Sequence, residues 1–120
     1  MSLYLPEEHA LEAVFADDIR EVLYRATLFQ DSIKQAPLVI VITAEYARAE
    51  QQYGAARAER LALIEAGQVA QNILLQAYAM GLAAIAFGAF EDEQVSDVLR
   101  LSSARSPLQV IAIGYARSQT

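Results

Sequence analysis

The chain has 120 residues, 55% of them hydrophobic, with one histidine, no cysteine and a formal charge of −6. That length sets a single domain over residues 1–120. The acidic balance excludes a general nucleic-acid binder, which needs a basic stripe, and the residue inventory excludes disulfides, thiolate catalysis, Cys-ligated zinc or iron–sulfur centres and any His-rich metal site.

The opening MSLYLPEEHA has neither a basic n-region nor an apolar h-region, so it is no signal peptide. It is a loose, Pro-containing segment with no predicted element, and Glu7-Glu8-His9 is read as surface loop rather than as a catalytic cluster. Asp17-Asp18 supply an N-cap and a first-turn acid, and Ile19, Val22, Leu23, Ala26 and Phe29 follow at helical spacing, predicting a helix over Asp18–Gln30. Gln35-Ala36-Pro37 punctuates. The uninterrupted run Leu38–Thr43 (LVIVIT) has the pattern of a central strand covered on both faces. Ala44 to Tyr53 reads as a short polar helix closed near Gly54.

Ala55–Met80 is predicted helical, with Gly81 as the C′ residue. Gly67 inside it costs roughly 1 kcal/mol relative to Ala, which points to close approach of another backbone or a ligand. Ala83–Phe87 is a buried strand that opens into Gly88-Ala89-Phe90, where a glycine lets backbone approach a flat ligand. Glu91-Asp92-Glu93 starts a helix running to about Leu101, its acids at the positive end of the dipole. Ser102–Pro107 is a loop, Leu108–Ile113 another buried strand, and a tail after Gly114 carries Arg117. The longest apolar run, Gly81 to Phe90, is too short to span a bilayer, so the chain is expected to be cytoplasmic and free of membrane. Three buried strands alternating with helices predict an α+β layered fold, a sheet with helices on its faces. A helix as apolar as Glu65–Met80 needs more than one partner to cover it, and an apolar-rich small chain is expected to oligomerise.

The ordered series Ala36-Pro37-Leu38-Val39-Ile40-Val41-Ile42-Thr43, Tyr53-Gly54, Glu65-Ala66-Gly67, Ala70-Gln71-Asn72, Leu75-Gln76-Ala77, Gly81-Leu82, Gly88-Ala89-Phe90 and the strand ending at Gly114 resembles the flavin-dependent nitroreductase superfamily. It resembles most its SagB-type branch, dehydrogenases that oxidise azolines in peptide natural products. The resemblance implies a long central helix packed at a homodimer interface, FMN at that interface, and hydride transfer through flavin N5. By resemblance, Ala86, Phe87, Gly88 and Ala89 line the isoalloxazine, Arg117 reaches the phosphate, and Tyr53 is the candidate catalytic residue. The substrate is then a small molecule or a peptide, and no metal is implied.

Two departures accompany the resemblance. The family's Arg-Arg-Ser-x-Arg-like phosphate motif has no counterpart in Met1 to Gln35, where Arg20 and Arg25 stand alone, so the chain reads as N-terminally truncated relative to the family. The Lys-Tyr pair of the azoline dehydrogenases reads Gln52-Tyr53, and Gln is neither acid nor base near neutral pH. Several residues keep a plainer reading beside the functional one. Tyr53 can be a partly buried aromatic, Arg117 a solvated tail residue, and Gln68, Gln71, Asn72 and Gln76 a polar helix face or amides bonded across a dimer. Arg57 and Arg60 are expected to meet Glu59, Glu65 or solvent. Two functions therefore stand: an FMN oxidoreductase, or a degenerate homologue that keeps a dimeric core as a structural or partner-binding module. No Gly-x-Gly-x-x-Gly dinucleotide fingerprint is present.

Overall fold

The strand that organises the molecule is the last one. The computed structural model describes residues 1–117. Its elements run β1 (Ser2–Leu5), β2 (Ala10–Ala13), α1 (Arg20–Ala26), α2 (Asp31–Gln35), β3 (Leu38–Ala44), α3 (Tyr46–Tyr53), α4 (Ala55–Ala79), β4 (Ala83–Phe87), α5 (Asp92–Leu99) and β5 (Ser106–Gly114). β5 lies between β3 and β4 and pairs antiparallel with both.

Successive side chains of β5 enter different cores, as the two-residue period of a strand requires. Val110 and Ala112 join Leu23 and Ala26 of α1, Ile33 of α2, and Val95 and Leu99 of α5. Ile111 and Ile113 join Ala70 and Ala77 of α4. The architecture is thus three layers, with α1, α2 and α5 on one face of the sheet and α4 alone on the other, which is the α+β layered arrangement expected from the sequence. Alanines at 66, 70 and 77 are buried, and their small side chains let the α4 backbone lie close to the sheet.

The LVIVIT run is a strand, but it is the edge strand β3 and not a central one. Leu38 is half exposed and the rest of β3 is only partly buried. An apolar run on both faces records layers above and below; it does not record neighbours to the side. β4 is the other edge and is likewise only partly buried.

Local signals explain most boundaries. α4 ends in a Schellman motif: Gly81 has φ +76°, Gly81 N–H donates to the Tyr78 carbonyl at 3.0 Å, and Leu82 N–H donates to the Ala77 carbonyl at 2.9 Å. α5 begins with Glu91 at the N-cap position and Asp92 and Glu93 in its first turn. The helix expected over Asp18–Gln30 is shorter. It starts at Arg20, because Asp18 is held by Arg20, whose backbone N–H (3.1 Å) and Nη2 (2.8 Å) both donate to its carboxylate. These bonds, and the Arg20 charge, lower the Asp18 pKa from 3.8 to about 2. The helix ends at Ala26, because Leu28 and Phe29 take φ +56° and +58° and turn the chain into α2. The opening segment, expected to lack structure, forms the antiparallel hairpin β1–β2, with Tyr4 opposite Leu11. His9, in its turn, hydrogen-bonds Tyr4 through Nδ1 at 2.9 Å.

One glycine is set by packing. A Cβ on Gly114 would lie 2.9 Å from Pro37 Cδ. Gly114→Ala is expected to lose about 1–2 kcal/mol, because overpacking against a rigid ring costs roughly 1–3 kcal/mol and the stiffer unfolded chain returns about 0.4–1 kcal/mol. Denaturant unfolding of the two proteins checks it; an unchanged midpoint contradicts the close contact. Gly67 is the opposite case. The close approach expected there does not occur within this chain, since nothing lies within 4 Å of a Cβ built on it.

Candidate functional site

Because β5 runs antiparallel to both neighbours, the C-terminal ends of β3 and β4 and the N-terminal end of β5 lie together. The connections β3–α3, β4–α5 and α5–β5 therefore leave from one end of the sheet. The middle of α4 borders that end, since Ala62, Ala66 and Val69 line one cleft there with Ile42 and Leu108.

A cleft of about 340 Å³ opens at this end. Its apolar floor comes from Ile42, Ala62, Ala66, Val69 and Leu108. Its polar wall comes from Thr43, Glu45, Arg48, Gln52 and Tyr53, with Glu65 and Arg105 completing it. Tyr53 is the last residue of α3 and is 37% exposed. Gly54, at φ +83°, then turns the chain directly into α4, so Tyr53 stands where the two helices meet. The structure thus brings Tyr53, Gln52 and Glu65 to one cavity.

Glu45 is the electrostatic centre of the cleft. It sits at the N-cap position of α3. Its Oε2 is 3.0 Å from Arg48 Nη2, and its Oε1 accepts from Arg105 Nε at 3.2 Å. The Arg105–Glu45 link joins positions 60 residues apart and fastens the α5–β5 loop to the start of α3. The sequence reading missed Glu45, Arg48 and Arg105. Glu45 and Arg48 are three apart on a helix and were legible in principle; Arg105 was not, because only the fold brings it there. Tyr46, the first residue of α3, was missed as well. Its pKa is raised, by burial first and then by the charges of Glu59 and Asp92.

The residues expected to form a flavin rim occupy the end of the neighbouring strand. Ala86 packs on the α4 face and Phe87 on the opposite face. Gly88 and Ala89 are exposed, and nothing lies within 4 Å of a Cβ on Gly88. They share the end of the sheet with the Tyr53 cleft but do not line it. Arg117 is exposed and lies three residues beyond the opposite end of β5. Ala83 pairs with Gly114 and Phe87 with Val110, so the two ends of this stretch are about 13 Å apart at the usual strand rise.

A flat ring fits the bare backbone at Gly88. A phosphate dianion fits less well. Among the described residues, Arg20, Arg25, Lys34, Arg48, Arg100 and Arg105 are each ion-paired with a carboxylate of this chain. Arg57 and Arg60 are exposed near the start of α4, at the other end of the sheet from Arg117. One guanidinium, not a cradle of them, is present where Arg117 lies. No described helix is long and apolar enough to cross a membrane.

This arrangement of helices and strands recurs in known proteins. A nitroreductase homologue from Ralstonia eutropha superposes with a TM-score of 0.83 at 30% identity, covering 98% of this chain and 54% of that one. The Escherichia coli microcin synthetase McbBCD complex, solved with truncated pro-MccB17 bound, superposes with a TM-score of 0.85 at 28% identity, covering 98% of this chain and 44% of that one. A nitroreductase homologue of Methanocaldococcus jannaschii is 34% identical over 111 residues, which is 92% of this chain and 54% of the relative. The chain thus spans about half the length of the curated relative it matches. With the family pattern running from residue 2 to residue 115, the chain belongs to the nitroreductase family.

Proposed function

We propose that the chain is an FMN-dependent oxidoreductase unit of nitroreductase type that works as a cytoplasmic homodimer. The observation that carries this reading is the bare, exposed backbone of Gly88-Ala89 at the end of β4, inside a chain matching the family from residue 2 to 115. Ala86, Phe87, Gly88 and Ala89 hold the isoalloxazine ring, and Arg117 meets the phosphate. When bound, FMN supplies hydride transfer at its N5.

The chain's own residues supply position and proton handling. Tyr53 places a hydroxyl in the cleft as the catalytic group. Gln52 beside it can hydrogen-bond but cannot exchange a proton. Glu45 has both oxygens engaged, whereas Glu65 has no ion pair among the described residues. A small molecule or a peptide suits the open cleft, and the pro-MccB17 peptide in the microcin synthetase structure supports the second.

A second reading is favoured by the lone Arg117 and by Gln52: a degenerate homologue that keeps the dimeric core and serves as a structural or partner-binding module. Titration with FMN separates the two. The expected result is a bound-flavin absorbance spectrum that saturates at one FMN per chain. Protein that stays colourless and leaves flavin fluorescence unchanged sinks the oxidoreductase reading and leaves the second.

A further inference from the structure

We propose that the cleft beside Tyr53 binds a small molecule with an apolar body and a single carboxylate, received by the guanidinium of Arg105. The proposal rests on the reading of this cleft as the substrate side and names the substrate class; it does not depend on where, or whether, flavin is held.

The cavity volume of about 340 Å³ falls within the range of roughly 300–1,000 Å³ that accommodates small ligands. Its floor of Ile42, Val69 and Leu108 suits an aromatic or aliphatic body. Arg105 is about one-third exposed, so its charge is neither fully solvated nor sealed away. Its Nε is spent on Glu45 Oε1 at 3.2 Å. Its two Nη groups have no hydrogen-bond partner among the described residues. A guanidinium fixed through Nε presents those groups as a planar fork, the geometry that receives a carboxylate by two parallel bonds. Glu45 is therefore the positioning residue and Arg105 the ligand-binding one.

Charge count sets the valence of the ligand. Arg48 and Arg105 are matched on the cleft wall by Glu45 and Glu65, so the cleft wall is formally neutral. A ligand with one negative charge gains the Arg105 fork. A dianion brings a second charge beside the Glu45 and Glu65 carboxylates, and the other guanidinium, Arg48, is 80% exposed and already paired with Glu45.

The test uses the full chain, ¹⁵N-labelled and free of flavin, titrated at constant ionic strength with benzoate, benzamide and inorganic phosphate. Benzoate is expected to shift the amides of Thr43, Tyr53 and Val69 and to bind at least tenfold more tightly than benzamide or phosphate. Arg105→Gln is expected to remove the preference over benzamide. Because that change also cuts the link to Glu45, Glu45→Gln is the companion. It keeps an acceptor oxygen for Arg105 Nε and the guanidinium itself, removes the competing carboxylate charge, and is expected to bind benzoate at least as well as the parent. Loss in both variants assigns the effect to structure and overturns Arg105 as the ligand group. Equal binding of benzoate and benzamide, shifts confined to residues outside the cleft, or phosphate binding as tightly as benzoate also overturn the proposal. All of these outcomes are independent of the FMN titration, so either reading can fail alone.

Discussion

Ile111→Ala is expected to lower the urea midpoint by on the order of 1 M or more. Ile111 is fully buried at the centre of β5. It is paired laterally with Ile40 and Ala86 and packed with Ala70 and Ala77 of α4. Three carbons vanish, and neither the flanking strands nor a helix seated on alanines can collapse into the space. Truncation at such a site costs about 2–5 kcal/mol, against a total stability of roughly 5–15 kcal/mol for a domain. The internal control is Ile85→Ala on β4. Ile85 is 47% exposed, so its loss is expected to cost under about 1 kcal/mol. Both are compared at one protein concentration, since association adds to apparent stability. If Ile85→Ala costs as much as Ile111→Ala, Ile85 is not the exposed side chain that this fold makes it.

That order is the part of the fold the sequence hid. Ala55–Met80 and Glu91–Leu101 were legible because their ends carry local chemistry: a glycine in the left-handed region closes one, and acids at a dipole end open the other. Leu38–Thr43 was legible as a strand but not as an edge, because lateral position depends on which strands pair across the sheet. The hairpin β1–β2 went unseen because four-residue strands are too short for a period of two to register. The turn at Leu28 and Phe29 also went unseen, because neither is the glycine that such φ values favour. The site divides along the same line. Tyr53 and Gly88 were singled out through the ordered family pattern, and the structure sets both at one end of the sheet. Arg105 was invisible, because a guanidinium meeting a carboxylate 60 positions away leaves no trace in local spacing.

The α4 face turned away from the sheet carries the other large expected effect: the double change Ile64→Glu, Leu75→Glu should turn a dimer into single chains. Ala66, Ala70 and Ala77 face inward. Ile64, Leu75 and Tyr78 remain 52%, 57% and 81% exposed. Positions 64, 67, 68, 71, 75 and 78 follow the three-and-four spacing of one helical stripe. A stripe of exposed Ile64, Leu75 and Tyr78 interspersed with amides, on a helix already half covered by its own sheet, is the surface that the proposed two-fold mate would bury. The exposed amides Gln68 and Gln71 lie within it and can bond across the axis. Gly67 lies there too, with open space above its backbone, where a second helix can approach closely. Two-fold symmetry doubles every substitution, so two glutamates per chain place four carboxylates in the interface. Desolvating charges without partners costs several kcal/mol, and the dissociation constant is expected to rise at least about a hundredfold. Light scattering should then move from twice 13.1 kDa to 13.1 kDa, with the circular dichroism spectrum unchanged, because both residues are exposed within one chain. A parent protein that scatters as a single chain rejects the dimer outright. A variant that remains dimeric moves the interface to another surface, and the open space at Gly67 then has no helix to receive.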